Sequence, residues 1–184
     1  MKNFKLNEKD ILSNQDWTFP TTTYYGPGRF NEIAKFCEEF DIKNPLIVTD
    51  SGSKDLPFIK KLIALLSKNN IKSDLFYNIS PNPRDDEISK GCDQFKNGSH
   101  DSIIAIGGGS AMDGGKSICL TVNSETPLWD FEFEQPVPKI TKENAFPKII
   151  TVPTTAGTGA ETEITAMVTH LEKGMKFCIW HPDV

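Results

Sequence analysis

The sequence predicts an α/β fold built on a mostly parallel sheet. Three observations carry that reading. Compact apolar runs occur at Pro45 to Asp50, Ser102 to Ile106 and Lys148 to Val152, and such runs suit strands buried on both faces of a parallel sheet. Segments with helical spacing lie between them, which implies right-handed βαβ crossovers. Glycine- or proline-rich stops close the runs, at Ser51-Gly52-Ser53, Gly107-Gly108-Gly109 and Pro153-Thr154-Thr155.

The elements follow in order. The first ~20 residues are polar and read as an irregular N-terminal extension, so the domain is taken as residues 21–184. Thr21 to Tyr25 is rich in β-branched and aromatic residues and predicts a short strand. After Gly26-Pro27-Gly28, helical spacing runs from Arg29 to Phe40 through Phe30, Ile33, Ala34, Cys37 and Phe40. A second helix buries Phe58, Ile59, Leu62, Ile63, Leu65 and Leu66. Ser73 to Ile79 predicts a strand, Arg84 to Asn97 a weaker amphipathic helix, and Ala111 to Val122 another helix. Thr126 to Pro147 interrupts this rhythm with the cluster Trp129, Phe131 and Phe133, as a functional loop or a cover for a sheet edge. Glu163 to Ile179 reads as a pair of short strands.

Composition narrows the function. The 184 residues carry 20 Lys and Arg against 25 Asp and Glu, a net charge of −5. That balance argues against a nucleic-acid binder, which would usually present a basic surface. No apolar run approaches the roughly 20 residues of a membrane span, and no signal peptide develops after Met1. A soluble, cytoplasmic chain without membrane contact is expected. The four cysteines, Cys37, Cys92, Cys119 and Cys178, form no Cys-x-x-Cys pair and read as buried or semi-buried thiols.

The stretch from Ile103 to Lys116 carries the chemistry. Three glycines allow a tight turn and close approach of a ligand to the backbone. The helix that follows offers free N–H groups and a positive dipole end, which favour a phosphate. Ser110 can cap that helix or donate to a phosphate oxygen. The dinucleotide fingerprint G-x-G-x-x-G fails at Met112, and the Walker pattern aligns on Gly115-Lys116-Ser117 but fails at Ser110. The second near miss leaves a P-loop-like ATP-binding kinase as an alternative, although Asp113 would repel phosphate. A plain β–α turn without ligand is the other. Asp50, at a strand end, can accept from ribose hydroxyls and repel a 2′-phosphate, favouring NAD over NADP; alternatively it caps the next helix.

These residues resemble the iron-dependent (group III) alcohol dehydrogenases. Gly107-Gly108-Gly109-Ser110-Ala111-Met112-Asp113-Gly114-Gly115-Lys116 is similar to the family's G-G-G-S-x-x-D-x-x-K signature. Pro153-Thr154-Thr155-Ala156-Gly157-Thr158-Gly159-Ala160-Glu161 is similar to its P-T-T-x-G-T-G-S-E stretch. Tyr25-Gly26-Pro27-Gly28, Val48-Thr49-Asp50 and Pro81-Asn82-Pro83 fall in the family's order. The resemblance implies a Rossmann-like, dehydroquinate synthase-like N-terminal domain that binds NAD, with NADP the alternative, followed by a helical metal-binding domain absent from this chain. By that resemblance Gly108, Gly109 and Ser110 hold the pyrophosphate, and Asp113 lies near the nicotinamide. Thr154, Thr155 and Thr158 border the adenosine and phosphate part of the cleft, while Asn82 and Lys176 approach the cofactor. Two departures stand out: Ala160 replaces the usual serine, and Glu163 stands where threonine is common.

The resemblance also implies hydride transfer between NAD(P) and a small alcohol or aldehyde, with Fe2+ or Zn2+ as Lewis acid. The family's metal ligands, one aspartate and three histidines, lie in the helical domain. The three histidines here, His100, His170 and His181, have no i, i+4 spacing and read as surface or partly buried side chains. Lys116 reads as a phosphate contact or a surface ion pair. The chain is therefore expected to be the cofactor half of such an enzyme, inactive alone; a stand-alone NAD-binding regulatory or structural module is the alternative. Association into a homo-oligomer, through the face the helical domain would cover, is left open.

Overall fold

The computed structural model describes residues 15–18 as backbone and residues 21–184 in full. Four strands form the central sheet: β3 (Pro45–Asp50), β4 (Asp74–Ile79), β5 (Ser102–Gly107) and β6 (Lys148–Pro153). All are parallel, in the order β4-β3-β5-β6. The order reverses between β3 and β5, because one crossover runs outward to β4 and the next returns past β3. Such a switch point opens a crevice at the carboxyl ends of its two strands.

The apolar runs explain why the sheet is covered on both sides. Leu46, Val48, Ile103 and Ala105 pack on one face, and Ile47, Ile104 and Ile106 on the other, all fully buried. Alternation with period two sends neighbours to opposite faces, so a continuous apolar strand needs helices on both. On the second face lie α1 (Ile33–Glu39) and α2 (Pro57–Lys68), through Ile33, Cys37, Ile59, Leu62 and Leu66. On the first lie α3 (Asp85–Asn97) and α4 (Gly109–Thr121). Each fully buried aliphatic side chain contributes about 1.5–3 kcal/mol relative to exposure.

Sequence cues set the helix starts. Pro57 opens α2, where its missing N–H is no loss. At α3 the Glu87 carboxylate turns back to accept from the Arg84 N–H at 3.1 Å and from the Ser80 N–H at 3.2 Å. Asp85 and Asp86 place further negative charge in the first turn, where the helix dipole favours it.

The strand pair expected after Glu163 is an antiparallel hairpin, β7 (Thr165–His170) with β8 (Met175–Trp180). Its inner residues Ala166, Val168 and Ile179 join the core beside α4. The Thr126 to Pro147 segment includes a 3-10 turn at Leu128–Phe131 and covers this part of the core. Phe131 is buried, and Trp129 stacks on His170 at 4.4 Å.

Three expectations are corrected. Gln15–Thr18, expected to be irregular, is a strand, β1, paired antiparallel with β2 (Thr22–Tyr25). Arg29 to Phe40 is not one helix: Arg29–Glu32 is a 3-10 turn leading into α1. Ile63 is 38% exposed, because the i, i+3, i+7 stripe of Ile59, Leu62 and Leu66 takes the core side and the next residue turns 100° away.

Candidate functional site

The site lies at the switch point. β5 ends in Gly107, whose φ of +148 suits glycine. Gly107 carbonyl accepts from the Thr154 N–H at 2.9 Å, which joins the end of β5 to the loop after β6. Gly108 is the N-cap of α4. Ala111 and Met112 N–H groups both return to the Gly108 carbonyl, at 3.0 and 3.2 Å. The N–H groups of Gly109 and Ser110 precede these bonds and form the open end of the helix.

The threonine loop faces this turn. A methyl group added at Gly108 would sit 3.5 Å from Thr155 Oγ1, and one at Gly109 would sit 3.0 Å from Thr158 Oγ1. Both hydroxyls therefore border the glycine backbone directly. Thr154, Thr155 and Thr158 are exposed. A groove with free N–H groups on one wall and hydroxyl donors on the other fits a pyrophosphate.

Asp50 stands at the end of β3, next to the turn. Its Oδ1 accepts from the Gly52 N–H at 3.0 Å and its Oδ2 from Ser53 Oγ at 2.7 Å. Both oxygens are thus held in one orientation by the chain that follows, as an Asx-type cap. A methyl on Gly107 would come within 3.3 Å of Asp50 Oδ2, so the carboxylate lies beside the turn as well. Capping and ribose recognition are compatible here, since each oxygen keeps acceptor capacity.

Ser110 does not cap α4. The cap is Gly108, and Ser110 lies inside the first turn of α4. Its hydroxyl donates to the Pro81 carbonyl at 2.6 Å, which ties the Pro81-Asn82-Pro83 loop over the helix start. Asn82 is exposed at this rim, with its carbonyl accepting from Ser80 Oγ at 2.8 Å.

Asp113 lies one turn further along α4. Burial pushes its carboxyl above the ordinary carboxylate range, while Lys116, a backbone hydrogen bond from Met167 and the charge of Lys176 pull it down. Lys176 itself is exposed on β8, opposite Thr169. Glu163, the departure from the family pattern, adds negative charge to this corner and accepts from Thr165 Oγ1 at 3.1 Å.

Lys116 is neither a phosphate contact nor a surface ion pair. It is 3% exposed. Its ammonium donates to the carbonyls of Ala160 at 2.9 Å and Glu163 at 3.1 Å, and to that of Thr165, with Asp113 Oδ1 at 3.8 Å. Burial lowers its pKa and Asp113 raises it. Three carbonyl acceptors call for three N–H donors, which the ammonium has and the neutral amine lacks. The kinase alternative fails on the same observation, because Gly115-Lys116-Ser117 sits inside α4 with its lysine buried.

The histidines are also corrected. His100, His170 and His181 are all buried. His100 Nδ1 lies 2.9 Å from the Asn44 carbonyl, and His181 Nε2 lies 3.1 Å from that of Pro138. His170 Nδ1 is 3.6 Å from Asp85. Among the described residues no three His, Cys, Asp or Glu side chains converge to hold a metal ion. The cysteines are free; Cys37 and Cys119 are buried, Cys92 and Cys178 half-buried.

A family model described as iron-containing alcohol dehydrogenase matches residues 20–184. The chain belongs to that family. It is 30% identical over 166 residues to 1,3-propanediol dehydrogenase of Klebsiella pneumoniae, covering 89% of this chain and 42% of that protein. A crystal structure of a 1,3-propanediol oxidoreductase superposes with a TM-score of 0.78 at 29% identity, covering 86% of this chain and 40% of that one. A sulfoacetaldehyde reductase from Bifidobacterium kashiwanohense in complex with NAD+ gives a TM-score of 0.74 at 28% identity, covering 84% and 40%. The chain thus spans about two-fifths of the length of these relatives. No described helix is long and apolar enough to cross a membrane.

Proposed function

We propose that this chain is the cofactor-binding half of an NAD-dependent alcohol dehydrogenase, an oxidoreductase acting on a small alcohol or aldehyde. One observation carries the reading: in a member of this family, the glycine turn and the threonine loop face each other at the switch point. In this reading the N–H groups of Gly109 and Ser110 receive the pyrophosphate, and Gly108 lets it approach without a Cβ. Thr155 and Thr158 donate hydroxyls from the opposite wall, and Thr154 holds that wall to Gly107. Asp50 accepts from the adenosine ribose and disfavours a 2′-phosphate. Asn82 lies along the rim, and Asp113 and Lys176 border the nicotinamide end, where a carboxylate suits the positively charged oxidised ring. NAD, when bound, supplies the two-electron acceptor. Among the described residues no side-chain cluster fits the Fe2+ or Zn2+ of the family; the part proposed for this chain is to bind and orient the cofactor.

Calorimetric titration with NAD, NADP and ATP tests the proposal, with Ser110→Asp as control. NAD binding is expected, with NADP weaker and both abolished in the control by a carboxylate at the anion site. Binding of ATP alone, or equal NAD binding by the control, would overturn it.

A further inference from the structure

The motif lysine is buried, and its partners explain what it does. Lys116 sits on α4, which is fixed against the sheet at very short range. A methyl added at Gly115 would meet Ala105 Cβ at 2.5 Å, and one at Gly114 would meet Ile79 Cδ1 at 2.6 Å. From this rigid base the lysine reaches across to the segment that runs from the end of the threonine loop to the first residue of β7. All three of its acceptors, the carbonyls of Ala160, Glu163 and Thr165, belong to that segment.

One of these acceptors continues into the site. Ala160, whose carbonyl Lys116 holds, donates its N–H to Thr158 Oγ1 at 3.2 Å. Thr158 Oγ1 is the atom that faces Gly109. A continuous path therefore runs from the ammonium through Ala160 to the hydroxyl on the cleft wall. Thr162 closes the same turn, with its N–H and hydroxyl donating to the Gly159 carbonyl at 3.0 and 3.1 Å. Charge-assisted hydrogen bonds of this kind are the stronger ones, and a buried ammonium with every proton placed has one geometry available.

We propose that Lys116 is a positioning residue of the cofactor cleft: by gripping Ala160, Glu163 and Thr165 it sets the separation between the threonine loop and the glycine turn. The inference rests on the cofactor reading above, but the clamp itself can be measured without any ligand.

The test uses the chain with Lys116→Met and Lys116→Arg. Hydrogen exchange on the free protein reads the clamp: amides of residues 158–165 are expected to exchange faster in Lys116→Met while the β3 and β5 amides keep their protection. NAD titration reads its consequence, with affinity expected to fall at least about tenfold and Lys116→Arg recovering part of it. Thr158→Val on the Lys116→Met background is expected to add little, because both changes break one path and coupled sites are non-additive. If Lys116→Met does not fold, Thr158→Val alone decides. It should speed exchange at Ala160 and weaken NAD; unchanged exchange and affinity overturn the proposal. A folded Lys116→Met with wild-type exchange at residues 158–165 and wild-type NAD affinity overturns it equally. If the unaltered chain binds no NAD, the cofactor reading fails, while the exchange result still decides whether Lys116 clamps the loop.

Discussion

Two adjacent glycines should fail in different ways when each is changed to alanine. At Gly107 the added methyl would meet Ala111 Cβ at 2.7 Å and Asp50 Oδ2 at 3.3 Å, on a backbone with φ of +148. Carbon atoms pack at about 3.5–4.0 Å, so α4 or β5 must move by roughly 1 Å. Overpacking of that size costs about 1–3 kcal/mol, and the disfavoured backbone conformation about 1–3 more. The total, about 2–6 kcal/mol, is a large part of the 5–15 kcal/mol typical of a domain. At Gly108, φ is −80 and the nearest atom to a new methyl is Thr155 Oγ1 at 3.5 Å, an ordinary contact. Gly108→Ala should therefore fold within about 0.5 kcal/mol of the parent, while its methyl occupies the space proposed for pyrophosphate. Urea denaturation followed by circular dichroism separates the two. With a slope of about 2 kcal/mol per molar, Gly107→Ala should shift the midpoint down by about 1–3 M. Gly108→Ala should leave it in place and lose NAD affinity. A Gly107→Ala midpoint equal to the parent's would refute the steric argument, and a Gly108→Ala protein that binds NAD as the parent does would remove the pyrophosphate from this turn.

Two further outcomes follow from the carboxylates. Asp50→Ala should raise the NADP-to-NAD affinity ratio by roughly tenfold, about 1.4 kcal/mol, and an unchanged ratio in paired titrations would leave Asp50 only its capping role. For Asp113, burial raises the folded-state pKa above the ordinary 3.8. Between those two values the folded chain binds more protons than the unfolded one, so the contribution is present at low pH and lost as pH rises through the folded pKa. Thermal melts across that window should show the parent losing stability with rising pH relative to Asp113→Asn; a relative gain would contradict the burial argument.

Much of this was legible in the residues. The runs at Pro45, Ser102 and Lys148 announce strands because continuous apolar character has one economical use in an α/β chain, a sheet covered on both faces. Gly107 to Gly109 announces a tight strand-to-helix turn for an equally local reason. Lys116 resisted, since its partners lie 44 to 49 residues downstream and no spacing rule links them. Ser110 misled for a similar reason: its hydroxyl looks free beside a helix start, yet its acceptor is Pro81, 29 residues earlier. The histidines were misjudged because burial among carbonyls and rings leaves no periodic mark. Ile63 shows the opposite limit, a local pattern read too broadly, where the helical stripe is one residue narrower than its apolar content.

The Pro81-Asn82-Pro83 rim is held from two sides. Ser110 grips the Pro81 carbonyl at 2.6 Å, and the Thr169 N–H grips that of Pro83 at 2.7 Å. Asn82 is suspended between these anchors like a plank between two posts. Its backbone entropy is surrendered when the chain folds, so a ligand arriving at this edge meets a surface already set and little further freedom is lost on binding. The anchors also join α4 to the hairpin through the rim, so loosening the hairpin would blur the edge of the cleft before the sheet itself gave way.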